Sequence, residues 1–185
     1  MTKKAIILLA EGFEEVEAVT PIDYLRRAGV EVTTAAISAK LTVKSAWGGI
    51  KVTADTTLIE AAEQSGWDTV ILPGGKRGAE NLANSKETGV FLKKMAANGK
   101  LICAICASPA VVLAPLGLLS GKRFTCYPGF EEKVNEGEWS EDRVVIDGSL
   151  ITSRSAGTAG EFAIAIIKKL LDEAAAKKIA GTVLL

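Results

Sequence analysis

Short apolar runs recur along this chain between amphipathic stretches, and that alternation constrains the fold more than any other feature. Ala5-Ile-Ile-Leu-Leu-Ala10 carries no polar residue, the pattern of a strand buried on both faces. Val30–Ile37, Thr69–Leu72 and Leu101–Ala104 read as further strands, and Phe124–Cys126 as a short one. Between them, Phe13–Ala28 reads as a helix with Phe13, Val16, Val19 and Leu25 on one side and Gly29 as its stop. Leu58–Gln64 and Lys86–Ala97 read as helices, a further helix starts at Pro109 and runs to Leu116, and Gly157–Ile179 reads as one long amphipathic helix. Val43–Val52, with Gly48-Gly49 inside it, predicts a hairpin, as does Asp147-Gly148 between Val144–Ile146 and Leu150–Thr152. Strands alternating with helices predict an α/β fold: a doubly wound, mostly parallel sheet with helices on both faces, in a single domain over residues 1–185. At 48% hydrophobic residues the chain has enough apolar material for one core.

In such folds ligands bind at the carboxyl ends of the strands. That rule selects four loops: Glu11–Glu17, Gly74–Gly78, Ile105–Ser108 and Cys126–Gly129.

Composition removes most chemistries from those loops. The chain has no histidine, so a cysteine or serine triad with an imidazole base is impossible within it, and so is a histidine-ligated metal site. Cys, carboxylates, Lys, Tyr, hydroxyls and backbone dipoles remain, and no cofactor or metal is expected. Equal numbers of basic and acidic residues, 22 of each, give no case for a nucleic-acid or acidic-membrane partner. No apolar run reaches the length of a membrane span. The first apolar run passes straight into Glu11, Glu14, Glu15 and Glu17 with no cleavage region, and three cysteines make no disulfide framework. A reduced, cytoplasmic protein is the expectation.

The richest segment is Leu101-Ile-Cys-Ala-Ile-Cys-Ala-Ser-Pro109. An apolar strand meets a helix start with Cys106 at the junction and small Ala104 and Ser108 on either side, as a nucleophile elbow requires. The helix N-terminus would lower the Cys106 pKa and offer the Ala107 N–H to an oxyanion. A small buried cysteine fits the same pattern. Cys103 and Cys106 form C-x-x-C, but three residues of extended chain separate them by roughly 10 Å and point them to opposite faces, against a disulfide or a zinc site. Gly74-Gly75 ends a buried strand, where glycine lets the backbone approach a ligand or simply makes a tight turn. The four glutamates opening the first helix suit its dipole, and one of them could face Cys106; spacing alone does not choose which.

Taken together, Cys106, Gly74-Gly75 and the acidic first helix resemble the ThiJ/PfpI superfamily, within it the branch of the Parkinson's-disease-associated deglycase and its bacterial relatives. Glu14-Glu-Val-Glu-Ala-Val-Thr-Pro-Ile-Asp23, Val70-Ile-Leu-Pro-Gly-Gly75, Gly78-Ala-Glu-Asn-Leu82, Ala104-Ile-Cys-Ala-Ser-Pro109 and Thr152-Ser-Arg-Ser-Ala-Gly-Thr158 carry the resemblance over nearly the whole chain. It implies a flavodoxin-like fold and a homodimer with Arg26 or Arg27 near its interface. It implies Cys106 as the reactive thiol, a protonated Glu17 bonded to the thiolate, and the Gly75 and Ala107 amides as the oxyanion site. Tyr127 stands where many relatives carry histidine, and reads either as a catalytic hydroxyl or as a packing residue. Ala107 stands where the protease-like branch carries histidine, which weakens the peptidase reading. The implied activity is cofactor-free, glyoxalase or deglycase in type, on a small aldehyde or glycated substrate. The alternative is an oxidative-stress sensor or redox-regulated chaperone, with Cys106 oxidised to sulfinic acid.

Overall fold

The computed structural model describes residues 2–185. In chain order it contains β1 (Lys4–Leu9), α1 (Glu15–Arg27), β2 (Glu31–Ala36), β3 (Thr42–Lys44), β4 (Lys51–Thr53), β5 (Thr56–Thr57), α2 (Leu58–Glu63), β6 (Thr69–Leu72), α3 (Lys76–Asn84), α4 (Lys86–Ala97) and β7 (Leu101–Ile105). After these come β8 (Arg123–Phe124), β9 (Glu138–Trp139), β10 (Val144–Asp147), β11 (Leu150–Ser153), α5 (Ala159–Leu170) and α6 (Glu173–Thr182).

Seven strands form one sheet in the order β10-β11-β7-β6-β1-β2-β5. All neighbours are parallel except the β10–β11 hairpin, which pairs Val145 with Thr152 and Ile146 with Ile151. The two-residue side-chain period sorts each central strand between two layers. From β1, Ile6 and Leu8 pack with Leu82, Phe91, Leu92 and Met95 of α3 and α4. Ala5, Ile7 and Leu9 pack on the other face with Leu25 of α1, Phe162, Ile166 and Ile167 of α5, and Ile179 of α6. The single-domain, doubly wound architecture read from the apolar runs is the architecture present. Among the described residues no helix is long and apolar enough to cross a membrane.

Several local readings change. Phe13 is buried, but ahead of the helix, and α1 buries Glu17, Ala18, Pro21 and Leu25 instead of its valines. Val16 and Val19 stay 46% and 49% exposed. The buried stripe at 17, 18, 21 and 25 is the helical period, shifted so that an acid faces the strand ends. The expected long C-terminal helix is two: the chain breaks at Leu171, and Asp172 caps α6 by accepting the Ala175 N–H at 2.8 Å. The expected helix over Pro109–Leu116 is one π turn (Pro109–Leu113) followed by one 3-10 turn (Ala114–Leu116), because Pro115 has no N–H to continue an α ladder. Cys126 lies outside β8, and α3 and β9 occupy segments that the sequence pattern left unassigned.

Candidate active site

β1 leads to β2 on one side of the sheet, and the chain then crosses to β6 on the other, so the strand order reverses between β1 and β6. Crevices form at such reversals. The residues after β1, β6 and β7 meet there.

The elbow follows β7. Cys106 adopts φ +64°, one of two non-glycine residues with positive φ among those described. That conformation costs an L-residue about 1–2 kcal/mol. Two backbone hydrogen bonds hold it: Cys106 N–H donates to Ser153 O, and Cys106 O accepts from Tyr127 N–H, each at 2.9 Å. The buried Ser108 hydroxyl donates to Pro73 O at 2.6 Å, tying the elbow to the end of β6.

That end is Pro73-Gly74-Gly75, and both glycines are required by proximity. A Cβ on Gly74 would lie 2.6 Å from both Cys106 Cβ and Glu17 Oε2, so the bare backbone here is what lets acid and thiol approach one another. Gly75 has φ +79°, and a Cβ on it would lie 2.5 Å from Gly12 O. The Gly75 and Ala107 amides lie beside the Cys106 thiol and favour its charged form.

Of the four early glutamates, the fold turns only Glu17 toward the sulfur. Glu11 accepts from Lys44 N–H, Glu15 from Gly48 N–H, and Glu14 caps α1 through Glu17 N–H at 2.7 Å. Glu17 is fully buried, and its Oε2 accepts the Gly74 N–H at 2.8 Å. Burial, reinforced by the charge of Glu14, pushes its carboxyl up to about 7. Its other oxygen, Oε1, has no hydrogen-bond partner among the described residues, and the carboxyl as a whole lies beside Cys106.

The lowered Cys106 pKa expected from a helix N-terminus is corrected. Burial and then the neighbouring Glu17 carboxylate push the thiol up, against the pull of the Gly75 and Ala107 amides. The helical turn behind it is one five-residue π turn, too short to carry much dipole. Cys106 and Glu17 therefore titrate as a pair. With the proton on Glu17, the repulsion disappears and the two amides favour negative charge on sulfur.

Cys103 takes no part in this. It is fully buried in the layer of α1 and α5, 3.5 Å from the Thr69 hydroxyl, and burial pushes its thiol up to about 12. All three cysteines are free, and Cys126 is buried as well.

A pocket of about 540 Å³ opens over Cys106. Glu14, Glu17, Gly75, Ala107 and Tyr127 line it, so every site residue expected from the sequence reaches one place. Tyr127 is 43% exposed and sits edge-on to Phe130, with ring centres 6.0 Å apart. Ala46-Trp47 of the β3–β4 turn and Ser155-Ala156 after β11 also line the pocket, and both were missed. Reading β11 only as half of a hairpin hid that its carboxyl end lies beside that of β7, where the strand-end rule would have selected Ser155.

The buried Glu17 carboxyl yields a stability prediction. Folded Glu17 keeps its proton to about pH 7, whereas an unfolded glutamate releases it near 4.5. Between those values the folded chain binds more protons, so stability falls as pH rises through this window and is level above it. Glu17→Gln should stabilise the protein by about 1–3 kcal/mol at pH 8, with the gain gone at pH 4. Urea unfolding of both proteins at the two pH values checks this; a gain of equal size at both would contradict the buried carboxyl as its source.

Comparison with known proteins shows the family to which this fold belongs. The DJ-1/PfpI family profile matches residues 3–169. DJ-1 homolog B of Arabidopsis thaliana is 42% identical over 181 residues, covering 97% of this chain; the chain spans only 41% of that protein's length. The glutathione-independent glyoxalase DJR-1.2 of Caenorhabditis elegans is 39% identical over 171 residues, covering 91% of this chain and 89% of that protein. The crystal structure of DJ-1beta from Drosophila melanogaster superimposes with a TM-score of 0.95 at 39% identity, covering 100% of this chain and 99% of that one. With the flavodoxin-like sheet, the strained cysteine and the buried acid already in place, the match over nearly its whole length makes this chain a member of the DJ-1/PfpI family.

Proposed function

We propose that the protein is a cofactor-free glyoxalase-type enzyme that converts α-oxoaldehydes such as methylglyoxal into 2-hydroxy acids, with Cys106 as nucleophile and Glu17 as proton shuttle. The observation that carries this is a fully buried carboxyl, raised to about 7, beside the thiol that lines the pocket at the strand ends. A group poised near neutrality both takes and gives a proton. The Caenorhabditis relative, a glutathione-independent glyoxalase by name, supports the reaction class.

The chemistry needs no external redox partner. The Cys106 sulfur, its proton passed to Glu17, attacks the aldehyde carbon, and the resulting hemithioacetal oxygen faces the Gly75 and Ala107 amides. Glu17 returns its proton to that oxygen; as carboxylate it then removes the hydrogen on the same carbon, giving an enediolate, and delivers it to the adjacent carbon while the hydroxyl proton passes from the first oxygen to the second, leaving a thioester of the 2-hydroxy acid. Water cleaves the thioester, releasing lactate from methylglyoxal and restoring the thiol. Tyr127, which lines the pocket, would donate to a substrate oxygen in this reading.

The test is turnover in D2O. Lactate formed from methylglyoxal should carry deuterium at C2, and Glu17→Gln should slow its formation about 100-fold or more. An undiminished rate in the Glu17→Gln protein would overturn the role of Glu17, whether the hydrogen at C2 comes from solvent or is returned unexchanged by the buried carboxyl.

The homodimer expected of the family fits one face. Val16 and Val19 of α1 and Ile50 beside β4 are exposed, Trp47 is 84% exposed, and Glu15 ties α1 to that turn through Gly48 N–H. Contiguous exposed apolar residues mark association surfaces. Arg26 and Arg27 already pair within the chain, with Val32 O and Asp23. Sedimentation equilibrium at micromolar concentration should give a dimer, and a monomer there would overturn this assignment.

A further inference from the structure

The pocket is too large and too positively charged at its mouth for a three-carbon dicarbonyl alone. Its volume of about 540 Å³ is in the range that encloses ligands several times that size. Lys76 and Arg77, in the first turn of α3, line it. Five of the six arginines have partners: Arg26 with Val32 O, Arg27 with Asp23, Arg123 with Asp142, Arg143 with Glu161 and Arg154 with Glu141 O. Arg77 is the sixth, and among the described residues it makes neither a side-chain hydrogen bond nor a salt bridge. Lys76 likewise has no carboxylate partner among them.

Arg77 is nonetheless held. Its stem lies on Gly12, where a Cβ would come within 2.9–3.1 Å of three of its carbons, and Gly12 has φ +84°. The first turn of α3 contains no acid, and its N-cap is Gly75, which offers no side chain to the orphan amides. The negative groups of the pocket, Glu14 and Glu17, lie on the α1 side, where Glu14 is engaged as a cap. The pocket is therefore polarised: acid and thiol toward α1, unpaired cations on α3. On the remaining walls Tyr127, Phe130 and Trp47 offer aromatic surface.

We propose that Lys76 and Arg77 select carbonyl substrates that carry a carboxylate, holding the acid group at the first turn of α3 while the α-oxoaldehyde end reaches Cys106. This deepens the glyoxalase reading and rests on it for the reaction, though not for the charge preference. An unpaired guanidinium beside an ammonium suits a carboxylate, with bidentate contacts from the arginine.

The test compares 4-carboxyphenylglyoxal with phenylglyoxal, which differ only by the distal acid. The ratio of their kcat/KM values should exceed one in the wild type by about fivefold or more, chiefly through KM, and approach one in the Lys76→Gln/Arg77→Gln variant. Equal ratios in the two proteins would overturn the proposal. Turnover of neither compound would count against the glyoxalase reading, and the charge preference would then be read from Cys106 itself. Its reaction rate with anionic 5,5′-dithiobis(2-nitrobenzoate), relative to that with neutral 4,4′-dithiodipyridine, should fall about fivefold in the double variant and with added salt. A relative rate that neither the substitutions nor salt alters would overturn the proposal independently of turnover.

Discussion

Cys106→Ala should abolish methylglyoxal consumption, lowering kcat/KM by at least about 1000-fold, because the hemithioacetal cannot form without the sulfur. The loss should not come from unfolding. Alanine keeps the Cβ and the φ of +64°, the amide still bonds Ser153 O, and the vacated sulfur faces a pocket instead of the core. The destabilisation of Cys106→Ala should therefore stay within about 1 kcal/mol, below the usual cost of a core truncation. Lactate formation and urea midpoints, measured on the same preparations, separate the two effects. Equal methylglyoxal loss by both proteins would sink the enzymatic reading. Intact mass after mild peroxide would then decide for the sensor reading: a gain of two oxygens, absent from the Cys106→Ala protein, is its signature. The two amides and the protonated Glu17 proposed to hold an oxyanion would equally hold a sulfinate.

The second large effect is expected where no reactive side chain exists. Gly75→Ala should destabilise the protein by about 3 kcal/mol or more and lower its Tm by roughly 6–12 °C. Its φ of +79° disfavours any side chain, and the new Cβ would meet backbone atoms, Gly12 O at 2.5 Å and Glu14 N at 2.8 Å, which cannot rotate away. Gly74→Ala should behave differently. Its Cβ would meet Cys106 Cβ and Glu17 Oε2 at 2.6 Å and Ile105 O at 3.0 Å. Rotation of Glu17 away from the thiol relieves one of those contacts, whereas Cys106 Cβ and Ile105 O move only with the elbow backbone, so activity should fall about 100-fold alongside the loss of Tm. Calorimetry and methylglyoxal kinetics on both variants test the contrast. A Gly75→Ala protein that melts like wild type would show that the loop between β6 and α3 can relax, and that its geometry is not what fixes the amides.

Legibility in the sequence followed the range of the forces involved. Apolar runs that must be buried on both faces announce themselves locally, so the strands and the sheet class could be read directly. The elbow was legible for the same reason: an apolar strand, small neighbours and Pro109 are one contiguous pattern. Segments whose conformation is imposed from outside were not. Ala46-Trp47 and Ser155-Ala156 reach the pocket only because the β3–β4 turn and the end of β11 pack beside strands distant in the chain. The outward face of α1 is a sharper case. Val16 and Val19 fit an apolar stripe, yet the helix is rotated so that Glu17 points inward, a choice that hydrophobicity alone would reverse.

What the sequence determined by itself was therefore a fold class and an exclusion. Alternating apolar runs required a doubly wound sheet, and the absence of histidine left a cysteine with carboxyls and backbone amides as the available chemistry. Residue spacing left the choice of carboxyl open and the family resemblance named Glu17; its burial and its pKa were decided only in three dimensions. Four glutamates of identical chemistry open one segment; packing sends three to backbone amides and buries the fourth against the sulfur, where loss of solvent raises it to about 7. Position in the chain assigns charge, but burial and approach assign its strength, and both come from segments distant in sequence: Gly74 beside Glu17, Ser153 beside Cys106, and Arg77 over Gly12.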